Sequence, residues 1–205
     1  MKFSKKEAKT LQRIIRWRRD VRGNNFLPKK VKQKDLNMIL NAALHAPSVG
    51  YSQPWRFLII DKDSTKNKIH TLFTKQFKKS QSKFHDKPLY STLKLEGIKE
   101  APLNIAVLYK KPTKPILGQT FMKQSGEYSV VCAIENMWLV ARSLNLGMGW
   151  VSILKPKKVK KILGISNEYK LVGYLCLGHT KHSLKTPELK KLGWEKKKNI
   201  KKCLL

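Results

Sequence analysis

The amino-acid sequence predicts an α+β fold in which a sheet of at least four strands is flanked by helices. Four short segments carry the aromatic, β-branched and aliphatic residues typical of strands, and longer segments between them repeat apolar residues at helical spacing. No GxGxxG turn follows the first strand, which disfavours a dinucleotide-binding fold. Because strands and helices alternate, a doubly wound parallel sheet is the competing topology. The predicted strands are Trp55–Ile60, Leu103–Tyr109, Gly147–Ile153 and Leu171–Gly178.

Five helices are predicted from apolar residues that recur every three or four positions. The longest is apolar on so many sides that we expect it to be buried, either inside the domain or at a subunit interface. The polar segment Ser80–Leu93 is predicted to be a loop or lid, and Lys110–Pro115 a surface linker. The predicted helices are Glu7–Trp17, Lys32–Ala46, Lys66–Lys79, Tyr128–Leu146 and Lys157–Leu163.

The chain has 205 residues, of which 41% are hydrophobic, enough for one substantial core and too few for two. We therefore expect a single domain over residues 1–205, with its core at about 11–195 and a basic C-terminal tail at 196–205. The net charge of +31 raises the alternative of a non-enzymatic protein that binds a polyanion. Only seven of the 44 basic residues are arginine, and the lysines are spread along nearly the whole sequence. This scatter favours a solvated lysine coat, and no specific nucleic acid partner is expected.

The sequence predicts a cytoplasmic protein that does not span a membrane. The apolar stretches Val130–Leu146 and Leu171–Leu177 are interrupted by polar residues or are too short, since a crossing takes roughly 20 apolar residues. The first residues are charged and lack the apolar block of a secretory signal. The cysteines lie far apart without metal-ligand spacing, so no metal is expected. Cys132 and Cys176 lie in apolar runs and are predicted to be core residues.

The segment Arg16–Arg22 places four arginines within seven positions where the first helix gives way to extended chain. Guanidinium groups bind phosphate through paired hydrogen bonds and keep their charge, so this segment suits an anionic cofactor. The alternative is a surface helix end in which Asp20 neutralises a neighbouring arginine.

Two further segments could approach a ligand with their backbones. In Ala46–Trp55, prolines fix the chain direction and Gly50 permits close approach, while Ser48 and Gln53 offer uncharged hydrogen bonds. The alternative is a rigid helix-to-strand turn. Gly147–Ser152 contains two glycines that let backbone amides come near a planar ligand, and the alternative there is tight strand packing.

Taken together and in this order, the three segments resemble the nitroreductase superfamily. Finer matches resemble its 5,6-dimethylbenzimidazole synthase (BluB) branch. They are the RRDVR of Arg18–Arg22 and the APSVG of Ala46–Gly50, with Tyr51 where typical nitroreductases carry asparagine. The resemblance covers about Arg16 to Trp194 and includes Leu93–Ile98, Gly149–Ile153, Tyr174–His179 and Pro187–Trp194.

This resemblance implies a nitroreductase-like homodimer with a central, mostly antiparallel sheet and FMN bound between the subunits. It further implies that reduced FMN is consumed with molecular oxygen as co-substrate, yielding 5,6-dimethylbenzimidazole, the lower ligand of cobalamin. A flavin reductase that supplies reduced FMN is a candidate partner, and no membrane partner is expected.

The resemblance also implies which residues form the site. Arg18, Arg19 and Arg22 would hold the phosphate and the flavin edge, Ser48 would reach the cofactor from the second half of the interface, and Leu95 would pack near the rings. The implied catalytic residues are Asp20, as a general acid or base, and Ser152, which would hydrogen-bond the flavin edge. The implied cofactor-binding residues are Arg18, Arg19, Asp20, Val21, Arg22, Ser48, Leu95 and Ser152.

One segment departs from the family pattern. Where the family commonly has a stretch that opens Met-Pro-Glu, this chain has Met122–Ser129, which leaves the reaction more open than flavin binding. The rival enzyme is an NAD(P)H-dependent FMN nitroreductase or flavin reductase, in which FMN survives each turnover. A cob(II)yrinic acid a,c-diamide reductase belongs to the same rival class. Asp20 among arginines and Tyr51 in the turn favour the synthase.

Overall fold

A four-stranded sheet forms the centre of the computed structural model, which describes residues 1–204. Its strands are ordered β1-β2-β4-β3, and all three neighbouring pairs are antiparallel. The expected α+β fold with an antiparallel sheet is therefore confirmed, and the doubly wound parallel alternative is wrong. The strands are β1 (Trp55–Ile60), β2 (Leu103–Lys110), β3 (Leu146–Trp150) and β4 (Tyr169–His179).

Within the described residues, seven α-helices surround the sheet, and each of the five predicted helices overlaps one of them. The longest predicted helix, Tyr128–Leu146, begins earlier and ends earlier than expected. It ends because Asn145 takes a left-handed backbone conformation (φ 60°) that turns the chain into β3. The helices are α1 (Lys5–Trp17), α2 (Gln33–Leu44), α3 (Asp63–Gln81), α4 (Leu89–Thr92), α5 (Ser125–Ser143), α6 (Pro156–Leu163) and α7 (Glu188–Lys191).

The sheet separates two apolar clusters, and β2 shows how the sequence builds both. Its side chains alternate in direction, as strand geometry requires. Ile105 and Val107 pack with α2 and α5 on one face, whereas Ala106 and Leu108 pack with residues of α3 and α6 on the other. Because both faces are covered, β2 is apolar almost throughout and lies in the interior of the sheet.

Helix α5 is buried on most sides, as predicted, but one of its faces is exposed. Val131 is 41% exposed, and Cys132 is exposed as well, so the prediction that Cys132 is a core residue is wrong. Cys176 in β4 is buried, as predicted.

The segment predicted as a loop or lid, Ser80–Leu93, contains the end of α3 and the short helix α4. Tyr90 of α4 is buried, with its ring 4.2 Å from that of Phe84 and 5.9 Å from that of Trp194. The polar residues of this segment predicted a loop. The aromatic contacts, which were not predicted, order the segment against the C-terminal part of the chain. Within residues 1–204, no helix combines the length and apolar character needed to cross a bilayer.

Candidate active site

The arginine-rich segment leaves α1 at Arg18 and runs in an extended conformation beside β3. The backbone N–H of Val21 donates to the carbonyl of Met148 at 3.0 Å, and the Val21 side chain is buried. Gly149 is what permits this approach, since a Cβ at that position would collide with the Val21 carbonyl oxygen. The backbone at Gly147–Ser152 was predicted to come near a planar ligand. Here it packs instead against the arginine segment of the same chain.

Asp20 is held by contacts from two directions. Its Oδ1 accepts a hydrogen bond from the backbone N–H of Trp150 at 3.0 Å, and its Oδ2 forms an ion pair with Arg22. Burial raises the pKa of the Asp20 carboxyl above its ordinary value of 3.8, although Arg22, the Trp150 N–H and Arg18 act in the opposite direction. A nearby carboxylate, Glu188, also contributes to the increase. Asp20 therefore keeps a proton to higher pH than an exposed aspartate does.

Arg22 connects this carboxylate to a neighbouring part of the chain. Its Nη1 donates to the carbonyl of Leu95 at 2.9 Å, and the N–H of Gly23 donates to the carbonyl of Glu96 at 2.8 Å. Leu95 itself is half-buried. The segment that carries Leu95 thus fixes the position of Arg22, and Arg22 in turn fixes Asp20.

Arg18 and Arg19 differ in their environment. The Arg18 guanidinium lies 4.8 Å from the centre of the Trp138 ring, with its Nε 3.9 Å from a Glu135 carboxylate oxygen. Arg19 donates to three backbone carbonyls, those of Arg16, Arg18 and Lys185. Burial lowers the pKa of Arg19, with a further contribution from neighbouring cations. Among the described residues, the buried Nε atoms of both arginines have no hydrogen-bond acceptor.

The side chains from Arg18 to Arg22, apart from Val21, line one pocket. One wall is the end of α1 with the arginine segment, a second is Leu93 with Lys94, and the third is the C-terminal segment Pro187–Leu192. The pocket therefore brings together all three predicted site arginines and the Asp20 carboxyl. The charged residues that line it are Arg18, Arg19, Asp20, Arg22, Lys94 and Glu188.

Four predicted site residues do not line this pocket: Val21, Ser48, Leu95 and Ser152. Ser152 follows β3 and is exposed. The hydroxyl of Ser48 accepts a hydrogen bond from the N–H of Gln53 at 3.2 Å. That bond closes a turn in which Tyr51 (φ 52°) and Gln53 (φ 45°) both adopt left-handed backbone conformations. Left-handed conformations at residues other than glycine carry strain, which is concentrated at functional sites in many proteins.

The divergent segment Met122–Ser129 lies at the start of α5. The hydroxyl of Ser129 accepts from the N–H of Val49 at 3.1 Å, so this segment supports the Ser48 turn and does not line the pocket of Asp20.

Three charged residues in or beside the pocket were not predicted from the sequence to carry chemistry: Lys94, Glu96 and Glu188. All three lie in segments that had been matched to the family, which was the available signal. Glu188 accepts a hydrogen bond from the side-chain amide of Asn24 at 3.2 Å. Glu96 is almost completely buried, although its charge predicts an exposed residue.

Comparison with known proteins identifies the family to which this fold belongs. Residues 15–179 match the nitroreductase family. The chain belongs to that family. A curated 5,6-dimethylbenzimidazole synthase from Rhodospirillum rubrum is 38% identical over 192 residues, which cover 92% of this chain and 90% of that protein. The resemblance inferred from the arginine segment and the APSVG turn is thereby confirmed.

Solved structures confirm the nitroreductase-like fold. A BluB-like flavoprotein from Clostridium difficile superimposes with a TM-score of 0.72 at 23% identity, over 95% of this chain and 97% of that one. A nitroreductase from Bacteroides fragilis, solved with bound FMN, gives a TM-score of 0.62 at 24% identity, over 82% of this chain and 87% of that one.

Proposed function

We propose that the protein is a 5,6-dimethylbenzimidazole synthase, which converts reduced FMN and molecular oxygen into the lower ligand of cobalamin. The observation that carries the proposal is the half-buried Asp20 carboxyl, which lies in a pocket lined by arginines and has a raised pKa. A proton-transfer group with a pKa moved towards neutral pH suits general acid and base catalysis. The similarity to the Rhodospirillum rubrum synthase over nearly the whole chain supports the same reaction.

The pocket fits FMN by its charge and by its donors. Arg18, Arg19 and Arg22 contribute permanent positive charge, and the buried Nε atoms of the first two lack acceptors among the described residues. A phosphate oxygen would satisfy such donors and offset the repulsion among the guanidinium groups. When bound, reduced FMN would supply the electrons for oxygen and the dimethylbenzene ring of the product.

For the remaining residues we propose the roles that the resemblance to the family implies. Asp20 would hold or move a proton at its Oδ2, the oxygen that faces Arg22. Ser152, exposed after β3, would donate a hydrogen bond to the flavin edge, while Val21 and Leu95 would bound the ring system. Because the carbonyl of Leu95 also accepts from Arg22, Leu95 serves both the ring system and the Asp20 pair.

The assembly belongs to the same proposal. We infer that Ser48 reaches the cofactor from the second subunit of a homodimer, as the resemblance to the nitroreductase family implies. A flavin reductase would supply the reduced FMN. Every assay therefore needs a concentration of purified chain above the dimer dissociation constant.

The test is a single-turnover reaction. Purified protein is mixed anaerobically with chemically reduced FMN, oxygen is admitted, and the products are separated by chromatography and identified by mass. We expect 5,6-dimethylbenzimidazole to appear with wild-type protein and to be nearly absent with Asp20→Asn. If wild-type protein only reoxidises FMN, the proposal fails, and an NAD(P)H turnover assay then tests the reductase alternative.

A further inference from the structure

A buried carboxylate, Glu96, lies behind the pocket and has no place in the roles assigned so far. Its side chain is only 2% exposed. It accepts a hydrogen bond from the backbone N–H of Ile98 at 2.7 Å and forms an ion pair with Lys94. The Nε2 of His70 lies 3.8 Å away. A buried carboxylate is costly unless it is paired and hydrogen-bonded, so these contacts fix Glu96 in one position.

We propose that Glu96 is a positioning residue that holds the Arg22–Asp20 pair in its reactive arrangement. This inference rests on the proposed function of Asp20. Glu96 acts through the protein and touches neither the cofactor nor the reacting atoms.

The first connection runs through the backbone. The Glu96 side chain bonds the N–H of Ile98 two residues along the chain and so shapes the local backbone. In that backbone the Glu96 carbonyl accepts from the N–H of Gly23 at 2.8 Å, and the preceding carbonyl, that of Leu95, accepts from Arg22 at 2.9 Å. Two successive carbonyls therefore hold Arg22, the last residue of the arginine segment, and Gly23, which follows it.

The second connection runs through Lys94, which lines the pocket. Its ammonium lies between Glu96 and Glu100, 2.8 Å from a Glu100 oxygen. Burial would lower the pKa of Lys94, but the two carboxylates outweigh it and the pKa is raised, so the ion pairs persist at neutral pH. Gly23 packs directly on this group: a Cβ there would lie 2.5 Å from the Glu100 carboxylate and 2.7 Å from Lys94 Cε. The ion pairs thus brace the backbone next to Arg22.

Loss of the Glu96 charge has two opposite effects on the pKa of Asp20. The sign of the measured pKa change therefore tests the proposal. Removal of a nearby negative charge, taken alone, lowers the pKa of a carboxyl group. Displacement of Arg22 raises it, because Arg22 is the largest influence that keeps the pKa of Asp20 down. The other charged groups that act on Asp20 are Arg18 and Glu188, and Lys94 shares the pocket.

The experiment measures the pKa of Asp20 directly in flavin-free protein. The chain contains five aspartates, so ¹³C labelling of their carboxyl carbons gives a simple NMR spectrum in which the Asp20 signal is assigned by its loss in Asp20→Asn. We expect Glu96→Gln, which retains an acceptor for Ile98, to raise the pKa of Asp20 by about half a unit or more. An unchanged or lowered pKa would overturn the proposal.

The matched control is Glu127→Gln, which breaks the ion pair between Glu127 and Lys170 away from the Glu96 segment. It should leave the pKa of Asp20 unchanged, and an equal rise in this variant would also overturn the proposal. If Glu96→Gln does not fold, the same titration is made on Glu96→Asp, whose shorter side chain should displace Arg22 and again raise the pKa. If neither variant folds, Glu96 is a folding residue and the proposal is wrong. Because no flavin is present, the result is independent of whether the wild-type protein makes 5,6-dimethylbenzimidazole.

Discussion

Two regions predicted to form the site, the segment Arg18–Arg22 and the residue Ser152, differ in how the protein holds them. The side chains of the arginine segment contact carbonyls, a carboxylate and an aromatic ring of their own chain. Ser152 is exposed just beyond the end of β3. A substitution in the first region therefore changes the geometry of its neighbours along with its own chemistry, whereas a substitution at Ser152 changes chemistry alone.

Contacts with the rest of the protein set the shape of the arginine segment. The arginine segment is connected to β3 through Val21, and Gly23, the residue that follows the segment, donates to the carbonyl of Glu96. The shape of the segment is therefore established before any ligand arrives. Preorganised groups of this kind stabilise developing charge without having to move during a reaction. The following predictions test the contrast between the two regions, in order of decreasing effect.

The largest effect is expected for Asp20→Asn. The amide cannot exchange a proton, so formation of 5,6-dimethylbenzimidazole should fall by about 100-fold or more in the single-turnover assay. Binding of oxidised FMN, followed by the quenching of its fluorescence, should change by less than about threefold because the arginines remain. A loss of FMN binding comparable to the loss of product would make Asp20 a structural partner of the arginines instead.

Gly149→Ala should break the contact between β3 and the arginine segment. The added Cβ collides with the Val21 carbonyl, and because backbone cannot easily move aside, the free energy of unfolding should fall by about 2 kcal/mol. Urea denaturation measures this change, and FMN binding should weaken in parallel. Gly173→Ala is the control: its Cβ meets the flexible end of Ile134 at 2.9 Å, so a smaller loss is expected with FMN binding retained. Equal FMN affinity in both variants would contradict the assigned role of this contact.

Ser152→Ala should slow product formation by about tenfold, equivalent to about 1.4 kcal/mol, if its hydroxyl orients the flavin edge. Its exposed position means that the melting temperature should not change measurably. The measurement combines the single-turnover assay with thermal unfolding of the same sample. A large drop in melting temperature would show that Ser152 supports the fold, and an unchanged rate would remove it from the site.

The smallest effect is expected for the free energy of unfolding of Asp20→Asn, compared with wild type at different pH values. Because the pKa of Asp20 is raised in the folded state, its protonated form contributes stability that is fully present below the unfolded pKa of about 3.9 and is lost as pH rises through the folded pKa. The amide in the Asp20→Asn variant does not titrate, so this variant should gain stability relative to wild type as pH rises above about 4. Urea denaturation at several pH values measures the difference. A relative loss of stability over the same range would mean that the pKa of Asp20 is lowered.

The elements of the sheet were largely predictable from local sequence. The strand Trp55–Ile60 was placed with its observed ends, because aromatic and β-branched residues lie between turn-forming residues on both sides. The ends of α5 were less predictable, since its apolar residues continue into β3 and only the backbone at Asn145 marks the boundary. Helix α4 was missed because Tyr90 is stabilised by Phe84 and Trp194, and the second of these lies near the other end of the sequence.

The candidate site was predictable in its residue types and not in its contacts. Asp20 stood out among four arginines, but its largest modulators are burial, Arg22 and the N–H of Trp150, and Trp150 is 130 positions away. The charge of Glu96 gave no sign that the residue is buried, since glutamate is rarely buried without a partner. Its burial becomes visible only when the chain is folded.

Local sequence was sufficient to define the main elements and the segments that could carry chemistry: four strands, the main helices and an arginine-rich segment around Asp20. These follow from backbone preference and from the spacing of apolar residues, which act over a few positions. Folding was needed to show that Asp20 meets Trp150, that Leu95 holds Arg22, and that Glu96 lies buried behind both. Such contacts depend on how β3 and the Glu96 segment pack around the arginine segment, and residues far apart in a chain acquire shared burial and charge only through that packing.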